Sequence, residues 1–194
     1  MRILQGKGSR EIRKDFQAGG TPMKRLYLLR HAKAVPADPA LDDFARELTV
    51  RGMHDAAAMA RYLRKNEMRP DLVLSSTAAR TRQTAELVQR ELDVPVDAKD
   101  ALYLAEPGKI FALVQAAPAK VGAVMVVGHN PGIEELAGLL AREPVRRKER
   151  ERRDVLEEKF PTAALAVLDF DIAKWRDIRP GEGKLVDFVR PKDL

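Results

Sequence analysis

Arginine and histidine stand side by side at the end of an apolar segment near the start of the chain. Residues 24–29 read as a short strand, and Arg30 and His31 follow directly. An arginine guanidinium presents a fork of N–H donors that matches a phosphate group. An imidazole is largely neutral at pH 7 and can act as a nucleophile. The pair therefore indicates chemistry on a phosphate, although one such pair could also be a polar strand end.

A second apolar segment ends on a histidine about a hundred residues later. Residues 123–127 are five consecutive apolar residues, typical of a strand buried on both faces, and His129 follows after one glycine. Asn130 and Pro131 predict a helix start, as N-cap and first helical residue. Ligands of open α/β sheets bind at the carboxyl ends of strands. We therefore expect His31 and His129 to share a pocket, beside a helix N-terminus that attracts anions.

A third segment supplies another arginine. Residues 70–76 read as a strand that ends in two serines, and a helix that begins near Thr77 would carry Arg80 in its first turn. Arg82 follows two residues later and is either a second phosphate contact or a surface charge. Two arginines and two histidines at one point would bind a tetrahedral dianion and leave one imidazole to attack it.

These segments resemble the histidine phosphatase superfamily, which also contains the cofactor-dependent phosphoglycerate mutases. The family's first motif, Arg-His-Gly, is matched by Arg30-His31-Ala32, with alanine in place of the usual glycine. The second family arginine follows a strand that ends in serine, as Arg80 does, and the second histidine follows a valine-rich strand, as His129 does. Residues 46–52 resemble the stretch that leads into a family helix. The likeness runs from about Met23 to the C-terminus and is strongest to short phosphohistidine phosphatases of the SixA type.

The resemblance implies a fold and a mechanism. The fold is a three-layer α/β/α sandwich with a mostly parallel central sheet, which the alternation of strand-like and helix-like segments also favours. The implied enzyme is a metal-independent phosphatase without a cofactor. His31 would attack the phosphorus, Arg30 and Arg80 would bind its oxygens, and His129 would contact the transferring group. Water would then hydrolyse the phosphohistidine intermediate.

The general acid and the substrate are harder to assign. Larger relatives carry a glutamate on an insertion that this chain lacks, so Glu106 is the most suggestive acid, with Asp42 and Asp43 as other candidates. Without an acid the substrate needs a good leaving group, and imidazole, with an unperturbed pKa near ~6.5, leaves more easily than an alcohol. This favours a phosphohistidine-bearing protein. A small phosphorylated metabolite is the alternative substrate, and a non-enzymatic phosphoanion-binding module is the alternative function.

Four further residues are candidates for substrate contacts. They are Arg46, Arg82, Glu106 and Asn130.

Composition excludes several other classes of protein. The 194 residues contain no cysteine and only three histidines, none at metal-ligand spacing, so a metallophosphatase is not expected. No apolar run approaches the ~20 residues that span a bilayer. Residues 1–22 also lack the apolar core of a signal peptide. We expect a cytoplasmic protein without a membrane partner, of undetermined oligomeric state.

The net charge of +6 is concentrated at one end. Residues 1–25 contain seven basic and two acidic residues, whereas the remainder contains 28 basic and 27 acidic residues. A basic, glycine-containing arm is more typical of a flexible tail than of a nucleic-acid binder. We therefore predict a flexible arm over residues 1–22, a phosphatase domain over residues 23–194, and no nucleic-acid partner.

Periodicity outlines the remaining elements. A helix is expected from Thr49 to near Asn66, a short one after residues 106–108, and one behind His129. The mixed-charge stretch 142–159 is typical of a solvated helix face. Further strands are expected at 162–170 and 185–189, with a turn at 180–181 between them.

Overall fold

Strands and helices alternate along the chain and build one mixed sheet. The computed structural model describes residues 23–39 and 42–194, so the predicted arm over residues 1–22 lies outside the described residues. Within them the strands are β1 (Lys24–Arg30), β2 (Leu72–Ser76), β3 (Val96–Lys99), β4 (Ala123–Gly128), β5 (Leu165–Phe170) and β6 (Lys184–Val189). The helices are α1 (Val50–Lys65), α2 (Ala79–Leu92), α3 (Pro107–Gln115), α4 (Gly132–Leu140) and α5 (Arg147–Glu158).

The sheet order places four parallel strands side by side. The order is β3-β2-β4-β1-β5-β6. Strands β3, β2, β4 and β1 are paired in parallel, and β5 is antiparallel to both of its neighbours, β1 and β6. Strands β2, β4 and β1 are the ones predicted to end on functional residues, and they are neighbours. Their carboxyl ends therefore lie along one edge of the sheet, and the predicted mostly parallel sheet is confirmed.

Side chains of each strand alternate between two helical layers. In β1, Leu26 and Leu28 are buried in the core that includes residues of α3, α4 and α5, whereas Tyr27 and Leu29 are buried in the core that includes residues of α1 and α2. This alternation is the period of two that a strand imposes on its side chains. The three-layer α/β/α sandwich is thereby confirmed.

Helix α1 has the predicted bounds but a shifted inner face. The Thr49 hydroxyl accepts from the Gly52 amide at 3.0 Å, and Asn66 ends the helix. Met53, which the periodicity placed on the apolar face, is 41% exposed. Gly52 faces inward instead. A Cβ at this position would lie 2.0 Å from the Lys33 carbonyl oxygen. Only a glycine allows the helix to pack this closely against the loop that follows β1.

The start of α4 differs from the prediction. Asn130 was expected as the N-cap and Pro131 as the first helical residue, but the helix begins at Gly132, with Pro131 in the cap position. The Asn130 side chain is used elsewhere, since its amide donates to Glu134. A Cβ on Gly132 would lie 2.0 Å from the Ala105 carbonyl oxygen, so the helix start packs closely on that loop. The prediction that Asn130 caps the helix is wrong.

The other predicted elements are confirmed with small changes at their ends. Helix α2 begins at Ala79 rather than near Thr77, and Arg80 lies in its first turn as expected. The mixed-charge stretch forms α5, whose charged side chains are mostly exposed apart from Glu149. In the described part of the chain, no helix combines the length and the apolar character needed to cross a membrane.

Candidate active site

The two predicted histidines meet where β1 and β4 end. Arg30 and Gly128 are paired in register across these parallel strands, so the residue after each leaves the sheet at the same level. The His31 amide donates to the Gly128 carbonyl at 3.0 Å and continues the pairing by one step. The rings of His31 and His129 have centroids 5.2 Å apart. The expectation that both histidines occupy one site therefore agrees with the geometry.

His31 is arranged as a neutral nucleophile. Its Nδ1 lies 2.8 Å from the Ala32 carbonyl oxygen, which can only accept, so Nδ1 carries the proton and Nε2 keeps a free electron pair. Burial, together with the charges of Arg80 and Arg30, lowers the pKa of His31 to about 4, against a partial opposing effect of the hydrogen bond to the Ala32 carbonyl. The ring is therefore unprotonated at pH 7, as attack on phosphorus requires.

Backbone contacts fix the Arg30-His31 dipeptide. The Ala163 amide donates to both the Arg30 and the His31 carbonyl oxygens at 3.1 Å. The Ala32 amide donates to the Thr84 hydroxyl at 3.1 Å, and that hydroxyl donates to the Arg80 carbonyl at 2.7 Å. Thr84 thus links the first motif to helix α2.

Alanine in place of the usual family glycine is accommodated without strain. Ala32 is fully buried in a small apolar cluster with Leu48, Ala56 and Ala163. It is not one of the described residues with positive φ, so its backbone is open to any L-residue.

His129 is also neutral and has one buried nitrogen without a partner. Its Nε2 lies 2.9 Å from the hydroxyl of Ser76, the last residue of β2. Its Nδ1 is buried and makes no hydrogen bond to the described residues. Burial lowers the pKa of His129 to about 3, with the neighbouring His31 and Arg80 adding to the shift. When Nε2 accepts from the Ser76 hydroxyl, Nδ1 carries the proton and can donate to a bound anion.

Arg30 presents a second unpartnered donor. Its Nη1 donates to the Phe160 carbonyl at 2.8 Å, but its Nε is buried without a hydrogen bond to the described residues. The Asn130 amide donates to the same carbonyl at 3.1 Å and to Glu134 at 2.7 Å. A buried donor without a partner needs an explanation, and a phosphate bound between Arg30 and His129 would supply acceptors for both.

Arg80 reaches the site from the opposite face of the sheet and is held by Asp43. Its Nη1 donates to the Asp43 carbonyl at 2.6 Å, and its Nη2 donates to the Asp43 carboxylate at 3.0 Å. The Tyr103 hydroxyl and Arg46 Nη1 donate to the same carboxylate at 2.7 and 2.6 Å. These hydrogen bonds, from Tyr103, Arg46 and Arg80, hold the pKa of Asp43 well below its usual range. Asp43 is therefore ionised and cannot act as the general acid that was one interpretation of the sequence.

The structure brings six of the eight predicted site residues together. Arg46 joins the cluster through Asp43 and anchors the loop after β1 through the Val35 carbonyl. Arg82 is exposed, because two residues along a helix turn its side chain about 200° away from Arg80. Glu106 is exposed directly before α3, and its side chain forms no capping hydrogen bond there.

Three contributors to the site could not be read from the motifs. Tyr103 lies in a loop after a single 3-10 turn and carries no sequence pattern. Phe160 contributes only its backbone carbonyl, which any residue possesses. The pairing of Asp43 with Arg46 had an available signal, since the two stand three residues apart, but nothing in the sequence indicated its contact with Arg80.

Comparison with known proteins identifies the family. The model of the histidine phosphatase superfamily (branch 1) matches residues 26–110. An uncharacterized protein of Mycobacterium tuberculosis is 35% identical over 164 residues, which is 84% of this chain and 100% of that protein. The chain belongs to the histidine phosphatase superfamily.

Two solved structures place this phosphatase in the SixA-type branch. A SixA phosphohistidine phosphatase candidate from Agrobacterium tumefaciens is 38% identical, covers 87% of this chain and 98% of its own, and superposes with a TM-score of 0.71. A second candidate, from Nakamurella multipartitia, is 32% identical and has a TM-score of 0.75. The match covers 87% of this chain and 96% of that chain. Both the fold and the branch expected from the motifs are confirmed.

Proposed function

We propose that this phosphatase hydrolyses phosphohistidine on a protein, through a phosphoryl group held transiently by His31. Two observations support the proposal. A neutral His31 keeps a free electron pair on Nε2, and Arg30 and Arg80 are near enough for their charges to lower its pKa. The similar structures from Agrobacterium tumefaciens and Nakamurella multipartitia carry names that refer to phosphohistidine phosphatases.

The first step transfers the phosphoryl group to the enzyme. The electron pair of His31 Nε2 attacks phosphorus, and the bond between phosphorus and the substrate nitrogen breaks. That nitrogen keeps the bonding pair, and the substrate ring, which carries a proton on its other nitrogen, leaves as neutral imidazole. Arg30, Arg80 and the Nδ1–H of His129 donate to the non-bridging oxygens, where charge is held in the transition state. Because these donors are fixed by the fold, they need little rearrangement when the reaction occurs.

The second step returns the enzyme to its starting state. A water molecule attacks phosphorus, the bond to His31 Nε2 breaks, and the electron pair returns to that nitrogen. Inorganic phosphate leaves with the oxygen of the water. His31 keeps its orientation throughout, because the proton on Nδ1 remains bonded to the Ala32 carbonyl.

The protonation and exposure of the nearby carboxyl groups favour one class of substrate over the other. Asp43 touches Arg80 but is held ionised, and Asp42 and Glu106 are exposed at the surface. An alkyl phosphate releases an alkoxide, which needs a proton from a general acid. An imidazole leaves without such help, because its own basicity is low. The site is therefore better suited to breaking a P–N bond than an alkyl P–O bond.

The substrate is tested by kcat/KM for a protein phosphorylated on histidine and for an alkyl phosphate such as phosphoserine. We expect the wild-type enzyme to prefer phosphohistidine and the Glu106→Gln variant to match it on that substrate. A clear preference for the alkyl phosphate would instead support a metabolite phosphatase. Tight binding of phosphate without turnover of any substrate, including an aryl phosphate, would support a binding module. Activity should persist in EDTA, and vanadate should inhibit as a phosphoryl mimic.

A further inference from the structure

Four aromatic rings form a continuous row from the nucleophile to the surface. The centroid distances are 5.2 Å from His31 to His129, 5.6 Å from His129 to Tyr103 and 5.1 Å from Tyr103 to Phe44. The last two contacts are edge-to-face, which is a favourable arrangement for aromatic rings. His129 is 2% exposed and Phe44 is 36% exposed, so the row runs outward. The proposed mechanism uses the two histidines and assigns no role to the two carbocyclic rings.

The geometry of phosphoryl transfer directs the leaving group toward the two outer rings, Tyr103 and Phe44. The attacking and leaving atoms lie roughly in line on opposite sides of phosphorus. His31 is 9% exposed and attacks from within the site, so the leaving group must point toward the surface. Tyr103 contacts His129 on the outward side, and Phe44 continues in the same direction. A leaving group that is itself a flat ring would meet these two side chains.

We infer that Phe44 and Tyr103 bind the leaving-group ring and make the enzyme selective for phosphoryl groups carried on an aromatic ring, above all imidazole. The inference deepens the proposed function and rests on it for the identity of the natural ring. Stacking or edge contact with an aromatic side chain stabilises a planar ring more than an alkyl chain. The substrate ring, protonated on its other nitrogen, also carries positive charge before the P–N bond breaks, and the faces of these rings attract such a charge.

The local backbone holds the two rings in place. Phe44 lies in the short turn Asp43–Ala45, and Asp43 accepts a hydrogen bond from the Tyr103 hydroxyl at 2.7 Å. One carboxylate thus ties together Arg80 and the segments that carry both rings. Leu104, directly after Tyr103, has a φ of 45° and is 55% exposed. A left-handed backbone is unfavourable for leucine, and such strain is concentrated at binding sites.

The test compares ring and non-ring leaving groups in the Phe44→Leu variant. This change removes a ring at the surface while keeping apolar bulk, so the fold should be unaffected. We expect kcat/KM for phosphohistidine and for phenyl phosphate to fall about threefold to tenfold. The value for phosphoserine should change less than twofold. Phe44→Tyr, which keeps a ring, should behave like the wild type on all three substrates.

Two further measurements separate this inference from its premise. Val145→Ala removes apolar surface at a residue that is 74% exposed and lies between α4 and α5, and it should leave all three values unchanged. Inhibition by free imidazole or phenol should weaken in Phe44→Leu. Equal losses on ring and alkyl substrates, or no loss on phenyl phosphate, would overturn the inference. If the wild-type enzyme were inactive on phosphohistidine, the proposed substrate would be wrong. The ratio of kcat/KM between wild type and Phe44→Leu on phenyl phosphate would still test the role of the rings.

Discussion

The two ends of strand β1 carry arginines in opposite situations, one buried and one half-buried. Arg25, at the amino end, is paired with Asp169 of β5 through two hydrogen bonds of 2.6 and 2.7 Å. Arg30, at the carboxyl end, contacts the Phe160 carbonyl and has a buried Nε without a hydrogen bond to the described residues. Arg25 thus has a paired counter-ion, whereas Arg30 forms no ion pair with the described residues.

Their pKa values shift in opposite directions, because pairing with a carboxylate dominates for Arg25 and burial dominates for Arg30. Burial opposes the charge of Arg25, but the contacts with Asp169 outweigh it and raise the pKa above its usual value. For Arg30 burial dominates and lowers the pKa, with only a partial offset from Glu134. A buried charge without a counter-ion is costly. The comparison indicates that Arg25 serves the fold and that Arg30 is kept ready for an anionic substrate.

The largest effect is expected at the nucleophile beside Arg30. His31→Ala should reduce turnover by on the order of 10⁴-fold or more, because loss of a nucleophile removes the covalent route. Thermal unfolding should change little, since His31 contributes a small side chain to the core. His54→Ala is the matched control, because His54 is an exposed histidine on α1. Near-normal turnover of the His31 variant would contradict its assignment.

Exchanging each arginine for methionine should separate activity from stability. Arg30→Met should lower kcat/KM about 10²- to 10³-fold, as for other preorganised donors, with little loss of stability. Arg25→Met should destabilise the protein by about 3–5 kcal/mol, because Asp169 would be left buried without a partner. Its kcat/KM per folded molecule should stay near that of the wild type. Urea unfolding and steady-state kinetics on both variants test the comparison, and the reverse pattern would refute it.

A smaller effect is expected from the carboxylate that holds Arg80. Asp43→Asn keeps the shape of the side chain but removes its charge, so Arg80 should be less well positioned. We expect kcat/KM to fall about tenfold, corresponding to ~1.5 kcal/mol for a charged hydrogen bond at a carboxylate that is 42% exposed. Asp154→Asn is the control, since Asp154 is an exposed aspartate on α5. Equal activity of the two variants would exclude a positioning role for Asp43.

The buried histidines also predict how stability depends on pH. Their pKa values are lowered in the folded state, to about 4 for His31 and about 3 for His129. Below about pH 6.5 the unfolded chain therefore binds more protons, and stability falls as pH falls toward 4. Each histidine adds up to about 1.4 kcal/mol per pH unit to this slope. Urea unfolding in phosphate-free buffers should show a shallower slope for His129→Gln, and an unchanged slope would contradict the burial argument.

The sequence predicted the residues that follow strands and missed those that depend on distant contacts. His31 and His129 were found because the end of an apolar run marks where the chain leaves the sheet, and parallel strands end at the same edge. Arg80 was found because it lies in the first turn of a helix. Asn130 was misplaced as a helix cap, since its true partners Glu134 and Phe160 depend on how α4 and the loop before β5 pack.

Contacts between residues far apart in the sequence could not be predicted from sequence patterns. Arg25 and Asp169 are 144 residues apart, and their contact depends on the antiparallel register of β1 and β5. The link between Asp43 and Tyr103 likewise joins two loops 60 residues apart. Periodicity describes which face of an element is buried, but it does not say which loop side chains meet.

The most direct test of the account is to trap the phosphoenzyme and locate its phosphate. Wild-type protein would be mixed with a phosphorylated substrate, quenched rapidly under non-acidic conditions and digested for mass spectrometry. The account predicts a phosphoryl group on His31, and none on the same peptide of the His31→Ala variant. A phosphoryl group on His129 would contradict the proposed mechanism. So would the absence of a phosphoryl group on His31 in a wild-type sample that is turning over substrate.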